Sequence, residues 1–187
     1  MKRAYLAAAV SAALAFAGAA GTACATDLSW QGGTGNLMDP NYTDGTNPNL
    51  TPTSADTAAI GANGIASNAS GDQTVGRLFV GHTLAANPGD GTVNITGGSV
   101  STTLGKSGRA NAGVIIGNGA NGTLSISNAS LTSNRLITVG LGDSATLNAT
   151  LNVGPGATVT TRAYCPEGPL SALARWRIVR VGLVAAL

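Results

Sequence analysis

The chain has 187 residues, 10 Lys+Arg against 8 Asp+Glu, 27 glycines and only 4% aromatic residues. Its positive charge sits at the two ends, since residues 26–161 carry four basic and seven acidic side chains, which excludes the clustered cationic footprint of nucleic-acid binding. Beyond residue 25 there is one cysteine, Cys165, and one histidine, His82, which excludes a disulfide framework and a structural zinc site.

Residues 1–25 have the layout of a secretory signal. Met1-Lys2-Arg3 is a charged start, Ala4 to Ala20 is an apolar run, and Ala23-Cys24-Ala25 is an Ala-x-Ala cleavage site. The run is rich in small residues and polar chain follows it, so cleavage is expected rather than a membrane anchor. Acylation of Cys24 is not expected, because Gly21 stands where a lipoprotein signal needs a branched apolar residue. Residues 26–55 read as an irregular cap. Trp30-Gln31-Gly32-Gly33-Thr34-Gly35 leads through Asp39-Pro40-Asn41-Tyr42 into a loop rich in Pro, Asn and Thr. Trp30 beside a Gly-rich turn can stack on a sugar or cover the first open coil of a repeat array; covering is the expectation, because solenoid ends expose core and strand edges.

Residues 56–161 repeat themselves. Gly91-Thr92-Val93-Asn94-Ile95-Thr96-Gly97-Gly98-Ser99-Val100 returns as Gly122-Thr123-Leu124-Ser125-Ile126-Ser127-Asn128-Ala129-Ser130-Leu131. It returns again, with one more residue in its turn and no leading Gly, as Thr150-Leu151-Asn152-Val153-Gly154-Pro155-Gly156-Ala157-Thr158-Val159. The spacing is 31 residues from Ile95 to Ile126 and 27 from Ile126 to Val153. Before each copy stands a strand ending in Gly: Leu78-Phe79-Val80-Gly81, Val114-Ile115-Ile116-Gly117 and Ile137-Thr138-Val139-Gly140. Asp56-Thr57-Ala58-Ala59-Ile60-Gly61 is a degenerate first coil of the same kind. Val, Ile and Thr with Gly and Asn punctuation, and no apolar stripe of 3.6 period, exclude helices.

Copies alike in sequence at about 20–50 residues mark a solenoid. The predicted fold is therefore all-β, a right-handed parallel β-helix of about three to four coils. A sandwich, which also gives short strands at regular spacing, stays open as the alternative. The solenoid makes a specific demand: Val93, Ile95 and Val100 stack on Leu124, Ile126 and Leu131, and those on Leu151, Val153 and Val159.

From Arg162 the composition breaks. Residues 162–187 form an atypical basic and apolar tail, with Arg175, Trp176, Arg177 and Arg180 among Ala, Leu and Val. The apolar stretch from Val181 is too short to span a bilayer. A basic amphipathic surface helix is one reading. The expectation is a segment not selected with the body.

The Trp30–Gly35 and Asp39–Tyr42 pieces, Asp56–Gly61 and the paired elements from Val80-Gly81 to Ser130 resemble the passenger regions of Gram-negative autotransporters. The resemblance covers about residues 27–161. It implies export through the inner membrane and a place at the cell surface, outer membrane or outside the cell. Leu37 and Tyr42 stand where that family usually has further Trp residues. The β-barrel that closes such proteins is not seen in this sequence. Pro166-Glu167-Gly168-Pro169 only faintly echoes a second group with Pro-Glu-Pro sorting tails.

Parallel β-helices also host polysaccharide lyases and hydrolases, so a carbohydrate-active enzyme is the alternative. Hydrolysis needs two facing carboxylates, and Asp39 and Asp44 lie in the entry loop. Lyase chemistry of the kind found in pectate lyases needs an Asp cluster beside a base, and Arg77, Lys106, Arg109 and Arg135 have no such cluster near them in sequence. Convergence of three Asp and Arg side chains on one face would revive the enzyme. His82 follows a strand-ending Gly and is expected in a solvated loop; Gly-x-Ser-x-Gly is missing. No catalytic, cofactor-binding or metal-ligating residue is assigned. The expectation is a non-enzymatic, exported structural or adhesive module that touches surface glycans or other surface chains and associates end to end. A truncated fragment of a longer protein is the third reading.

Overall fold

The structure is a computed structural model that describes residues 25–84, 86–104, 112–141 and 147–161. Residues 1–24, which hold all but the last residue of the expected signal segment 1–25, and the tail 162–187 lie outside those residues, as do Lys106, Arg109, Asp143 and Cys165. The described chain is all-β, made of short strands and turns without a helix.

The strands fall into three sheets that form the walls of a parallel solenoid of about four turns. β1 (Asp27–Trp30) and β2 (Thr34–Asn36) begin the first two walls, and β3 (Tyr42–Thr43) lies against β1. Four three-strand coils follow: β4 (Thr57–Ile60), β5 (Gly64–Asn68) and β6 (Asp72–Val75); β7 (Arg77–His82), β8 (Gly91–Ile95) and β9 (Ser99–Thr102); β10 (Ala112–Asn118), β11 (Gly122–Ile126) and β12 (Ser130–Ser133); β13 (Leu136–Leu141), β14 (Ala149–Val153) and β15 (Thr158–Thr161). Sheet A runs β3-β1-β4-β7-β10-β13, sheet B runs β2-β5-β8-β11-β14, and sheet C runs β6-β9-β12-β15. Every neighbour pair is parallel except β1 with β3, which is antiparallel.

The register is the one the repeats demand. Val93 pairs with Leu124 and Leu124 with Leu151; Ile95 pairs with Ile126 and Ile126 with Val153. Val100 pairs with Leu131 and Leu131 with Val159. In sheet A, Leu78, Val114 and Ile137 form one inward stack and Val80, Ile116 and Val139 another. Neighbouring strands sit about 4.8 Å apart, so like aliphatic side chains touch along the axis. Burying one such side chain fully contributes about 1.5–3 kcal/mol. A continuous core results, from Leu28 and Trp30 to Leu131, with Ile137, Val139, Leu151 and Val159 of the last coil only partly buried against it.

Two backbone demands explain the recurrent glycines. Gly81, Gly117 and Gly140 end their sheet A strands at φ 72°, 73° and 76°, a left-handed corner that β-branched residues adopt only at a cost. The leading Gly of the first two copies has another reason: a Cβ on Gly91 would collide with the Ile60 carbonyl oxygen, and one on Gly122 with that of Val80.

The entry segment does two jobs. β1 and β2 continue the parallel pairing of sheets A and B, and the rest folds over the end of the core. Trp30, Leu37 and Tyr42 are all fully buried. The Trp30 and Tyr42 rings meet edge to face at 5.0 Å, and the Tyr42 hydroxyl donates to the Leu37 carbonyl at 2.7 Å. Trp30 therefore covers the coil below it and presents no ring face to solvent.

Candidate functional site

Alternation along each strand turns every second residue outward, and the three walls differ in what they present. On sheet A the outward residues Ala59, Phe79 and Ile115, with Ala112, make a second apolar cluster, against which Leu84, Leu136 and Leu141 pack. Strands β4, β7 and β10 of sheet A are thus buried on both faces. Sheet C is not. Its outward residues form two columns, Asp72-Ser99-Ser130-Thr158 and Thr74-Ser101-Thr132-Thr160. Seven of those eight positions are hydroxyl residues, and all eight are half-buried or exposed. The Ser99 hydroxyl donates to Asp72 Oδ1 at 2.6 Å.

Sheet B carries a similar pair of columns, Thr34-Ile65-Thr92-Thr123-Thr150 and Asn36-Ser67-Asn94-Ser125-Asn152. Asn152 Nδ2 donates to Ser125 Oγ at 3.2 Å. Ile65, 40% exposed, is the one aliphatic residue in this grid. Within a column the steps are about 4.8 Å, and the two columns of a sheet stand roughly 6.6 Å apart, twice the rise per residue. A planar lattice of hydroxyl and amide groups, with Asp72 its one ionisable member, can exchange hydrogen bonds with a ligand whose own donors and acceptors recur at a fixed interval.

A third column is absent from the sequence reading. Asp90 precedes Gly91, Asn121 precedes Gly122 and Asn148 precedes Ala149. Asp90 Oδ1 accepts from the Asn121 amide at 2.9 Å and Asp90 Oδ2 from Asn121 Nδ2 at 2.9 Å; Asn121 Oδ1 accepts from the Asn148 amide at 2.8 Å. These side chains tie successive coils together at the A–B corner. The signal was the Asx residue standing before each repeat, one position upstream of the leading Gly.

Other acids have similar work. Asp56 accepts from Thr26 N at 3.1 Å, Thr53 N at 2.9 Å and Thr53 Oγ1 at 2.6 Å, and so holds the entry segment to the first full coil. Asp39 accepts from Asn36 N at 2.7 Å. Asp44 accepts from Asn47 N at 2.6 Å, Asn47 Nδ2 at 2.9 Å and Thr46 N at 2.8 Å, bonds that hold its carboxyl below the usual carboxylate range. Arg77 Nη1 lies 3.7 Å from Asp27 Oδ1 and donates to Thr57 Oγ1 at 3.1 Å. Arg135 accepts a hydrogen bond at its carbonyl from Thr161 Oγ1 at 2.7 Å. Among the described residues no group of three or more His, Cys, Asp or Glu is placed to hold a metal ion.

His82 corrects the sequence reading: it is fully buried, not in a solvated loop. Past the left-handed Gly81, His82 exchanges main-chain hydrogen bonds with Gly89, at 3.0 and 2.8 Å, which folds the intervening loop back over it. Its Nδ1 accepts from the Leu84 amide at 3.1 Å, while Nε2 has no hydrogen-bond partner. Burial pushes its pKa down.

Compared with protein families, with curated proteins and with solved structures, the chain returned no match.

Proposed function

We propose that this β-solenoid is an exported, non-enzymatic module of the autotransporter-passenger kind, acting at the cell surface as a structural and adhesive element. The single observation behind the reading is the pair of bare walls: sheets B and C each carry two register-locked columns of outward residues, almost all Thr, Ser or Asn. Coil stacking makes such walls stiff and extensible, which suits a stalk, and their polar lattice suits contact with glycans. The signal-like start at Met1-Lys2-Arg3 and Ala23-Cys24-Ala25 supports the exported part of the proposal.

The adhesive part is tested by passing the protein over immobilised bacterial and host-type polysaccharides. The double variant Ser101→Lys, Thr132→Lys changes two outward positions in the centre of sheet C. Retention on at least one polysaccharide, lost in the variant at unchanged melting temperature, is the expected result. No retention on any, or equal retention of both proteins, rejects the adhesive reading. Export is tested separately, by protease accessibility of the chain on intact Gram-negative cells.

A further inference from the structure

The two bare walls are not equivalent. On sheet B the second outward column alternates strictly between amide and hydroxyl: Asn36, Ser67, Asn94, Ser125, Asn152. The outward columns of sheet C hold no amide and start from a carboxylate, Asp72. All ten outward positions of sheet B are exposed or half-buried, and none of them ionises. Asp39 and Asp90, beside the wall, are tied to the Asn36 main chain and to Asn121. A charged polymer laid on sheet B would lose hydration without gaining an ion pair, so the wall favours an uncharged one.

The alternation also sets a length. Coils step by about 4.8 Å, so the amides recur about every 9.6 Å along the axis. An extended β-1,4-linked glycan repeats on this scale. Each of its sugars is turned over relative to the one before, and a given ring substituent returns to the same side only at every second residue. One sugar per coil then meets a Thr of the first column and, by turns, an Asn or a Ser of the second. The amide both donates and accepts, with two hydrogens and a carbonyl, so alternate sugars are held differently. The columns stand roughly 6.6 Å apart and bracket a ribbon one pyranose ring wide. Ile65, in the first column, is the exposed large hydrophobic residue of the described chain and gives the C–H face of a ring an apolar contact.

We propose that sheet B is a platform for an extended, neutral, β-1,4-linked glycan lying along the solenoid axis, with the substituents of every second sugar on Asn36, Asn94 and Asn152. The proposal rests on the reading of this module as a glycan-contacting element, and adds a wall whose specificity differs from that of sheet C.

The test uses the full chain and four polymers on beads: swollen cellulose and chitin, both neutral and β-1,4-linked; amylose, neutral and α-1,4-linked; and carboxymethylcellulose, the charged β-1,4 polymer. Binding to cellulose, chitin or both is expected. The sheet B variant Thr123→Lys, Ser125→Lys is expected to weaken it at least about tenfold, as loss of one or two hydrogen bonds gives. The sheet C variant Ser101→Lys, Thr132→Lys is expected to leave it unchanged. Because lysines in mid-wall can disturb folding, melting temperatures accompany each measurement and alanine pairs supply a milder probe. Asn94→Ala with Asn152→Ala is expected to weaken binding more than Ser67→Ala with Ser125→Ala. Binding to amylose or carboxymethylcellulose alone overturns the proposal and leaves the adhesive reading standing; binding to no polysaccharide overturns both. Loss in the sheet C variant but not in the sheet B variant, or equal effects of the two alanine pairs, also overturns it.

Discussion

Gly122 shows how much one missing atom matters. Its Cα sits so close to the Val80 carbonyl that an added methyl has no room, and the obstacle is backbone rather than a side chain that can swing aside. Gly122→Ala is expected to cost about 1–3 kcal/mol, the range for overpacking, measured by urea denaturation. The third copy carries Ala149 at this position, half-buried, in the coil where the core itself is looser. His82 is the other single residue with a measurable signature. Burial favours its neutral form, and the Leu84 amide needs Nδ1 as an acceptor. The folded pKa lies below the unfolded value of about 6.5. As pH falls below that value the unfolded chain therefore binds a proton the folded chain resists, and stability drops. Wild-type protein is expected to lose stability on going from pH 7 towards the lowered pKa, and His82→Asn to lose less over that interval; thermal melts across the pH series report it. None of this was legible at His82 itself. Its burial comes from a loop that doubles back to Gly89, and main-chain pairing of that kind leaves no trace in side-chain pattern. The Asp90, Asn121 and Asn148 column was legible in principle, since the Asx-Gly pair recurs, but the repeat was read from the Gly onward.

At the level of strands, register could be read from the sequence because the side chains that specify it are the ones that stack. A slip of one residue would turn Leu124 and Ile126 outward and Thr123 and Ser125 into the core, and the aliphatic columns forbid it. The double burial of sheet A was less visible. Continuous apolar runs such as Val114-Ile115-Ile116 fit a strand covered on both sides, yet the apolar residues packed against the outward cluster, Leu84 and the β13 residues Leu136 and Leu141, stand outside the run and give no local sign of it. Packing should weaken along a single stack. Leu124 is fully buried, whereas Leu151, its neighbour in the next coil, is half-buried. Leu124→Ala is expected to cost about 2–5 kcal/mol and Leu151→Ala clearly less, by chemical denaturation. Equal costs would mean that the final coil is as well covered as the third.

For the molecule as a whole, each coil touches only its neighbours, so stability is close to a sum of coil and interface contributions. The two ends are unlike. Trp30, Leu37 and Tyr42 seal the first, while strands β13 to β15 carry half-buried apolar residues at the other. Hydrogen exchange is expected to show the slowest amides in β7, β8, β10 and β11 and progressively faster ones through β14 and β15. Uniform protection across all coils would contradict this gradient. The corners also differ, with a practical consequence. Between sheets B and C the chain always turns in the same short span, residues 69–71, 96–98 and 127–129, lengthening by one only at 154–157. The other two corners range from Gly76 alone to the stretch between Thr102 and Ala112. Foreign peptides grafted at 83–88 or 103–111 would therefore leave the helical pitch intact, whereas the same graft at 96–98 would throw two walls out of phase; this chain has built-in ports for display on two of its three ridges.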